Sequence, residues 1–527
     1  TKEHLPYITI ALKGTTIGTV TDATGHYFLK NLPEGNFILE VSSVGYKTVT
    51  RNVTLKKGKT LEEDFEIEED AIALDGVVVS ANRSETTRRL APTLVNVVDL
   101  KLFETTNSST LSQGLNFQPG VRVETNCQNC GFQQVRINGL DGPYTQILID
   151  SRPVFSALSG VYGLEQIPAS MIERVEVMRG GGSALFGSSA IAGTINIITK
   201  EPLRNSGQLS HTLTALGGGS SFDNNTSLNA SLVTDDHRAG LYIFGQNRHR
   251  SGYDYDGDGF TELPKLKNQT VGFRSYLKTS TYSKLTFEYH HMQEFRRGGD
   301  MLDRPPHEAH IAEQLQHSID GGSLKFDYFS PDEKNRLSIF ASAANTDRDS
   351  YYGPGNDPLK AYGKTTDLTA MGGAQYVHTF DKCFFMPSDL TAGLEYNRDR
   401  LKDNMWGYDR HTDQTVNIYS AFLQNEWKND RWGILIGGRL DKHNMVDNVI
   451  FSPRANLRFN PTQNINLRLS YSSGFRAPQA FDEDMHIENV GGTVAMIERA
   501  KNLKEEKSQS FSVSADMYHR FGVFQTN

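Results

Sequence analysis

The sequence predicts a mostly β protein in three parts: a small N-terminal β-sandwich, an α+β middle segment, and a long transmembrane antiparallel β-barrel region. Three observations carry that expectation. From about Gly207 onward, apolar and polar residues alternate over long segments. The connections between those segments are short at some ends and long and polar at others, as in outer-membrane barrels. Hydrophobic residues make up only 37%, although 47 Gly, 28 Phe and 21 Tyr are present, which suits apolar surface hidden by alternation.

At 527 residues the chain exceeds a single hydrophobic core, so several domains are expected. Mean hydropathy is −0.48 and no apolar run is long enough for a helical span. A net charge of −8 without a long basic run argues against nucleic acid as a partner. The chain opens inside the strand-like "YITIAL" and closes without a terminal signal, so both ends read as cut.

Up to about residue 68, strand patches such as "NFILEVSSVGYKTVT" are separated by turn signals such as "DATG" and "PEG", the texture of a small β-sandwich. The acidic run "LEEDFEIEED" and then "DGVVVSA" read as a solvated linker carrying one edge strand. In the middle segment, "QVRINGL", "TQILIDSRPV" and "IERVEVMRG" read as strands. The run "GGGSALFGSSAIAG" is rich in glycine but lacks the lysine that a phosphate-binding loop needs.

The barrel texture is clearest in "PRANLRFNPTQNINLRLSYSSGFRAP". Ala455, Leu457 and Phe459 alternate with Asn456, Arg458 and Asn460, and Ile465, Leu467, Leu469 and Tyr471 follow the same rule after a short turn. Roughly fourteen such strands are counted, too many for an ordinary open sheet.

Five motifs, "LNFQPGVRVE", "QVRINGL", "TQILIDSRPV", "IERVEVMRGGGSALFGSSAIAGTINIITK" and "GFRAP", resemble the plug and barrel signatures of TonB-dependent outer-membrane receptors. The plug resemblance runs from about Val77 to Lys200, and the N-terminal part resembles the carboxypeptidase-regulatory-like domain found ahead of such receptors in Bacteroidetes-type bacteria. The implied domains are 1–70 (regulatory-like sandwich), 71–83 (linker), 84–202 (plug) and 203–527 (partial barrel). The resemblance implies a barrel of about 22 strands, so about a third of it would be missing here.

The resemblance implies a Gram-negative outer-membrane location, lipid around the barrel, the TonB energy-coupling protein as periplasmic partner, and no enzymatic chemistry. The ligand it implies is a small scarce metal complex, such as a ferric siderophore, haem or cobalamin. A glycan or peptide importer working with a surface lipoprotein, or a sensor or adhesin, are the alternatives. The TonB box maps to Asp75, Gly76, Val77, Val78, Val79, Ser80 and Ala81, an extended β-branched run suited to strand addition.

The resemblance also places Asn126, Cys127, Gln128, Asn129 and Cys130 at a plug apex facing ligand, and Phe155, Tyr162 and Gln166 at a second apex. The C-x-x-C pair admits a small disulfide, or contact with a soft metal or ligand. No cofactor is required, but a structural calcium is foreshadowed in an extracellular loop. There Asp254, Asp256, Asp258 and Glu262 fall at calcium-loop positions, although Lys265 replaces the final Glu. His290, His291, Met292, His307, His310 and His317 offer soft and borderline metal ligands. Glu173, Arg174, Glu176 and Arg179 are read as internal charge pairs of the plug.

Overall fold

The computed structural model describes residues 4–5, 8–22, 24–43, 46–68, 77–83, 86–127, 129, 131–153, 164, 167–353, 359, 361–480, 488–490, 493–495, 498–500, 502–517, 519–521 and 524–526. At the N-terminus, β1 (Thr9–Leu12), β2 (Gly18–Val20), β3 (Gly35–Ser42) and β4 (Val49–Leu55) form an antiparallel sheet in the order β2-β1-β3-β4. Alternation buries Ile10, Leu12, Leu39, Val41 and Val53 in one core. Phe65 and Ile67 of the acidic run pack onto this core while Glu66 and Glu68 stay exposed. Residues 61–68 thus pack with the module, because their apolar residues recur with a strand's period of two.

The middle segment forms an inner domain. It begins with the short pair β5 (Val77–Val78) and β6 (Thr86–Thr87), then β7 (Val95–Asp99), α1 (Leu100–Thr105) and α2 (Leu111–Leu115). The hairpin β8 (Val121–Cys127) and β9 (Phe132–Ile137) follows, then β10 (Thr145–Ile149), β11 (Arg152–Pro153), β12 (Ile172–Arg179), the short helix Ser183–Phe186 (α3) and β13 (Gly193–Thr199). The sheet order is β11-β10-β13-β12-β7, with β10 and β13 parallel. Val98, Ile147, Val175, Val177, Ile195 and Ile197 share its core with Phe103 of α1 and Leu111 of α2. Helix α1 starts where Asp99 Oδ1 accepts the Leu102 amide at 2.9 Å, an N-cap.

The remaining strands are β14 (Ser206–Leu216), β15 (Ser221–Val233), β16 (Ala239–Arg250), β17 (Lys265–Ser280), β18 (Ser283–Gly299), β19 (Ala312–Phe329), β20 (Asn335–Gly353), β21 (Tyr362–Cys383), β22 (Met386–Met405), β23 (Arg410–Lys428), β24 (Trp432–His443), β25 (Ile450–Thr462) and β26 (Ile465–Arg476). After the small hairpin β27 (Glu488–Val490) and β28 (Thr493–Ala495) comes β29 (Glu506–Met517), and β30 (His519–Phe521) pairs with β31 (Phe524–Thr526). Strands β14 to β26 and then β29 form one 14-stranded antiparallel sheet of sequential neighbours, in line with the expected count. Among the described residues the sheet does not close, and β14 and β29 are its edges.

Period-two alternation gives this sheet two unlike faces. Leu394, Leu423, Ile436, Leu440, Leu469 and Val513 are exposed on the outside, an apolar surface too continuous for water. Aromatic pairs mark both borders of that belt: Phe385 with Trp427 (5.7 Å) and Trp432 with Phe459 (4.3 Å) near one rim, Tyr396 with Tyr419 (4.8 Å) and Tyr471 with Phe511 (4.9 Å) on the other side. The longest of the described connections lie at one rim. Residues 281–282, 384–385 and 463–464 are tight turns at the first rim, whereas 251–264 and 300–311 are long loops at the opposite one.

The inner face holds the inner domain. Ser472 Oγ donates to Gly181 O at 2.8 Å, and Ser189 N donates to Phe475 O at 3.1 Å. A Cβ at Gly181 would overlap Ser472, so the glycine run serves close packing against the wall. The N-terminal module touches the short-turn rim, where Thr16 donates from its amide to Thr281 O (3.0 Å) and from Oγ1 to Ser280 O (3.2 Å).

Candidate functional site

The site has two ends, one at each rim. At the long-loop rim, the β8–β9 hairpin carries the expected apex upward. Cys127 Sγ donates to Glu313 Oε2 at 3.1 Å, at the start of β19. Arg296 Nη1 of β18 donates to Gly131 O at 3.3 Å. Gly131 has φ 69°, and a Cβ there would approach Pro264 to 3.0 Å. A Cβ on Gly298 would collide with the backbone of Asn129, so the wall needs glycine there to admit the apex. The side chain of Asn126 and all of Gln128, Cys130, Phe155, Tyr162 and Gln166 lie outside the described residues.

Reading the sequence missed the wall that receives this apex. Arg296 donates to both oxygens of Glu294 (2.7 and 3.1 Å), and His317 Nδ1 lies 3.6 Å from Glu294 Oε1, all three side chains being buried. The spacing of Glu294 and Arg296, two apart on one strand, was the available signal. Higher still, Tyr351 and Tyr362 meet edge to face at 4.8 Å, and His307 Nδ1 shares a 2.8 Å hydrogen bond with the Tyr362 hydroxyl. Asp300 tethers the adjoining loop, accepting the Ile311 amide at 3.0 Å and pairing with His310 at 2.6 Å.

Toward the short-turn rim, the expected coupling strand is locked inside. Asp75 and Gly76 lie outside the described residues; Val78, Ser80 and Ala81 are fully buried. Glu176 on β12 accepts from Val79 N (2.9 Å), Ser80 N (2.9 Å) and Ser80 Oγ (2.7 Å) through one oxygen. Its other oxygen accepts from Arg174 Nε at 3.0 Å, and Arg174 also pairs with Glu173 at 2.7 Å, so those three form the expected charge group. Arg179 stands apart from it, beside Gly120.

The wall grips the same segment by its backbone. Arg454 donates to Ala81 O (3.0 Å), Gln424 to Asn82 O (3.1 Å), Gln375 to Arg83 O (3.0 Å) and Arg468 to Ala91 O (3.1 Å). Arg83 pairs with Glu395 of β22 and lies between the rings of Phe186 (5.0 Å) and Phe422 (4.9 Å). Burial lowers the Arg83 pKa from its usual value, an effect opposed mainly by the Glu395 charge. Arg439 bridges Glu395 (2.7 Å) and Asp441 (2.8 Å). A cavity separates the inner domain from this part of the wall, lined by polar residues such as Gln134, Asn397 and Asp441 and by apolar ones such as Ile147, Met371 and Ile418.

The metal candidates divide. Asp254, Asp256 and Glu262 bring carboxylate oxygens within 4.8 Å of one another. Asp258 is not in that group; its Oδ1 accepts the Phe260 amide at 2.8 Å. Backbone amides already engage the others: Gly257 N and Gly259 N donate to Asp254 (2.7 and 2.9 Å), and Tyr255 N to Glu262 (2.5 Å). The histidines do not converge. His291 faces outward to Asp320 (2.9 Å), His317 faces inward to Glu294, and His307 and His310 have the loop partners given above. Neighbouring positions on a strand point to opposite faces, which separates His290 from His291.

Comparisons with known proteins agree with this architecture. Three family models match successive stretches: "CarboxypepD_reg-like domain" at residues 1–79, "TonB-dependent Receptor Plug Domain" at 87–194, and "TonB dependent receptor-like, beta-barrel" at 193–527. The vitamin B12 transporter BtuB of Vibrio vulnificus strain CMCP6 is 25% identical over 424 residues, which is 77% of this chain and 64% of that protein. BtuB of strain YJ016 is 29% identical over 237 residues, covering 40% of this chain and 39% of its own. The chain thus spans less than two thirds of these curated relatives. Among solved structures, the siderophore receptor PirA from Acinetobacter baumannii matches with a TM-score of 0.69 at 19% identity, over 83% of this chain and 69% of that one. A mutant of the ferric enterobactin receptor PfeA from Pseudomonas aeruginosa matches with a TM-score of 0.67 at 18% identity, over 82% and 70%. At such identities the structures share the fold.

Proposed function

The chain belongs to the TonB-dependent receptors, outer-membrane proteins of Gram-negative bacteria that are not enzymes, and from that premise we propose that it imports a scarce metal complex. A ferric siderophore leads, with haem and cobalamin as related cargo. Ligand settles on the apex at Cys127 and Asn129 beneath the long loops. Its binding favours release of the strand at Val77–Ala81, which then adds to an edge of the TonB protein in the periplasm.

One observation supports this reading above the others: Glu176 links the box strand directly to β12, whose Val175 and Val177 share a core with Val121, Val135 and Ile137 of the apex hairpin. A ligand that prefers one arrangement of that sheet alters the hold on the box, since a shift needs only differential affinity for two states. The similarity to a vitamin B12 transporter and to siderophore receptors supports the cargo class. A structural calcium at Asp254, Asp256 and Glu262 is proposed as an aid to loop order, because hard carboxylate oxygens suit that ion.

Deletion of the gene, followed by growth on ferric siderophore, haem or cobalamin as sole source, tests the cargo. Loss of growth on one of these is expected. Loss confined to glycan or peptide sources overturns the metal-complex reading in favour of the other importer class.

A further inference from the structure

We propose that the outer wall of β22 carries a binding site for a net-anionic lipid headgroup that presents a phosphomonoester, formed by Arg398 and Arg400. The two faces of this strand carry opposite charge. Glu395, Asp399 and Asp403 are buried on the inner face, whereas Arg398 and Arg400 alternate with them and are exposed on the outer face. A guanidinium is always charged, so an outward pair of them calls for an anion or for full hydration.

The neighbouring strands do not supply that anion. Arg398 stands opposite Ala370 on β21 and Asn417 on β23, and Arg400 stands opposite Leu368 and Thr415. Among the described residues, the ion pairs of this region involve other groups. Lys402 lies 3.6 Å from Asp413, and Lys364 stands opposite Asp349. β22 is paired on both sides, so strands beyond the sheet edges would not cover this face.

Height identifies the occupant. Leu394 and Leu423 belong to the apolar belt, and the ring pair Tyr396–Tyr419 closes its upper border at 4.8 Å. Arg398 and Arg400 are the next two outward positions, each about 6.8 Å further along the strand. That is the polar layer of the leaflet facing the long loops, where the abundant anions are lipid phosphates. The forked donors of arginine match phosphate oxygens, and the aliphatic stems can lie along acyl or sugar surface. Asn417, held by the Tyr396 hydroxyl at 2.8 Å, adds a neutral polar group beside the pair.

The test uses the full-length receptor purified in detergent and incubated with phosphatidic acid or phosphatidylcholine, with retained lipid counted by native mass spectrometry. The wild type is expected to retain phosphatidic acid about tenfold better than phosphatidylcholine, a preference that falls with salt. R398Q/R400Q should lose most of that preference, R400Q alone about a third to a half of its free energy, and K364Q none. Equal retention of the two lipids by the wild type overturns the proposal. So does unchanged phosphatidic acid retention in R400Q, which keeps the test decisive if the double variant does not fold.

Discussion

Ser80 and Glu176 are joined twice, by the Ser80 amide at 2.9 Å and its hydroxyl at 2.7 Å, both to the same carboxylate oxygen. Both residues are fully buried. The contact ties the segment proposed as the coupling strand to β12 of the inner domain. It is therefore the natural place to ask what holds the receptor closed.

Glu176→Gln is expected to loosen that hold. The amide keeps the shape but surrenders the charge-assisted character of three bonds, each worth about 1.5–3 kcal/mol in such settings. A cysteine placed at Val77 should then react with a thiol reagent in isolated outer membranes about tenfold faster than in the parent, one pKa unit's worth of free energy. An unchanged rate would mean that the wall, not Glu176, retains the strand.

Arg83 and Glu395 form a buried pair, with Arg439 as a second partner of the carboxylate. Removing Arg83 alone leaves Glu395 with less compensation and should cost about 3–5 kcal/mol of local stability. A double-mutant cycle with Glu395→Gln, read by thermal unfolding of the folded barrel, should recover part of that loss.

Gly298→Ala tests the seat of the apex. The new methyl group must displace the Asn129 backbone, since the two cannot occupy the same space. Affinity for the metal complex proposed as cargo should fall by about tenfold or more, equivalent to about 1.4 kcal/mol, while the melting temperature of the barrel stays nearly constant. Equal binding by the variant would place the ligand elsewhere.

The loop at 300–311 should open in acid. Burial pushes the Asp300 carboxyl up, but the Ile311 amide and His310 outweigh it and hold it below the usual range. The stabilisation is therefore complete above about pH 4, the unfolded value, and disappears as pH falls through the lower folded one. Pepsin cleavage of the loop should accelerate as pH falls below about 4, whereas Asp300→Asn should be cleaved rapidly already at about pH 4.

Calcium is expected to raise the melting temperature of the wild type, with up to about 2.7 kcal/mol available at a hundredfold excess over its Kd. Asp254→Asn and Glu262→Gln should abolish the response, whereas Asp258→Asn should preserve most of it because Asp258 is not among the three converging carboxylates.

Much of the fold was legible because a strand repeats every two residues. Leu457 and Leu469, read as outward neighbours across a turn, are direct partners in the sheet. The same rule, applied to His290 and His291, would have shown that adjacent strand residues cannot share one ligand. Long-range contacts left no comparable trace. Cys127 meets Glu313, and Ser80 meets Glu176, through folding that brings distant segments together, and no local pattern encodes such a meeting. The Phe65 and Ile67 repeat in the acidic run was visible, but the surrounding carboxylates obscured it.

The edge position of β7 has a mechanical consequence. This strand pairs with β12 from Val95↔Met178 to Arg174↔Asp99 and, among the described residues, has no second neighbour in its sheet. Tension reaching it through Ala91 arrives first at Val95, the start of the strand. The ladder then opens like a zipper, one rung at a time, rather than shearing all its rungs together. Modest force could strip this one ribbon from the stopper while β12, β13 and β10 remain assembled around their own core.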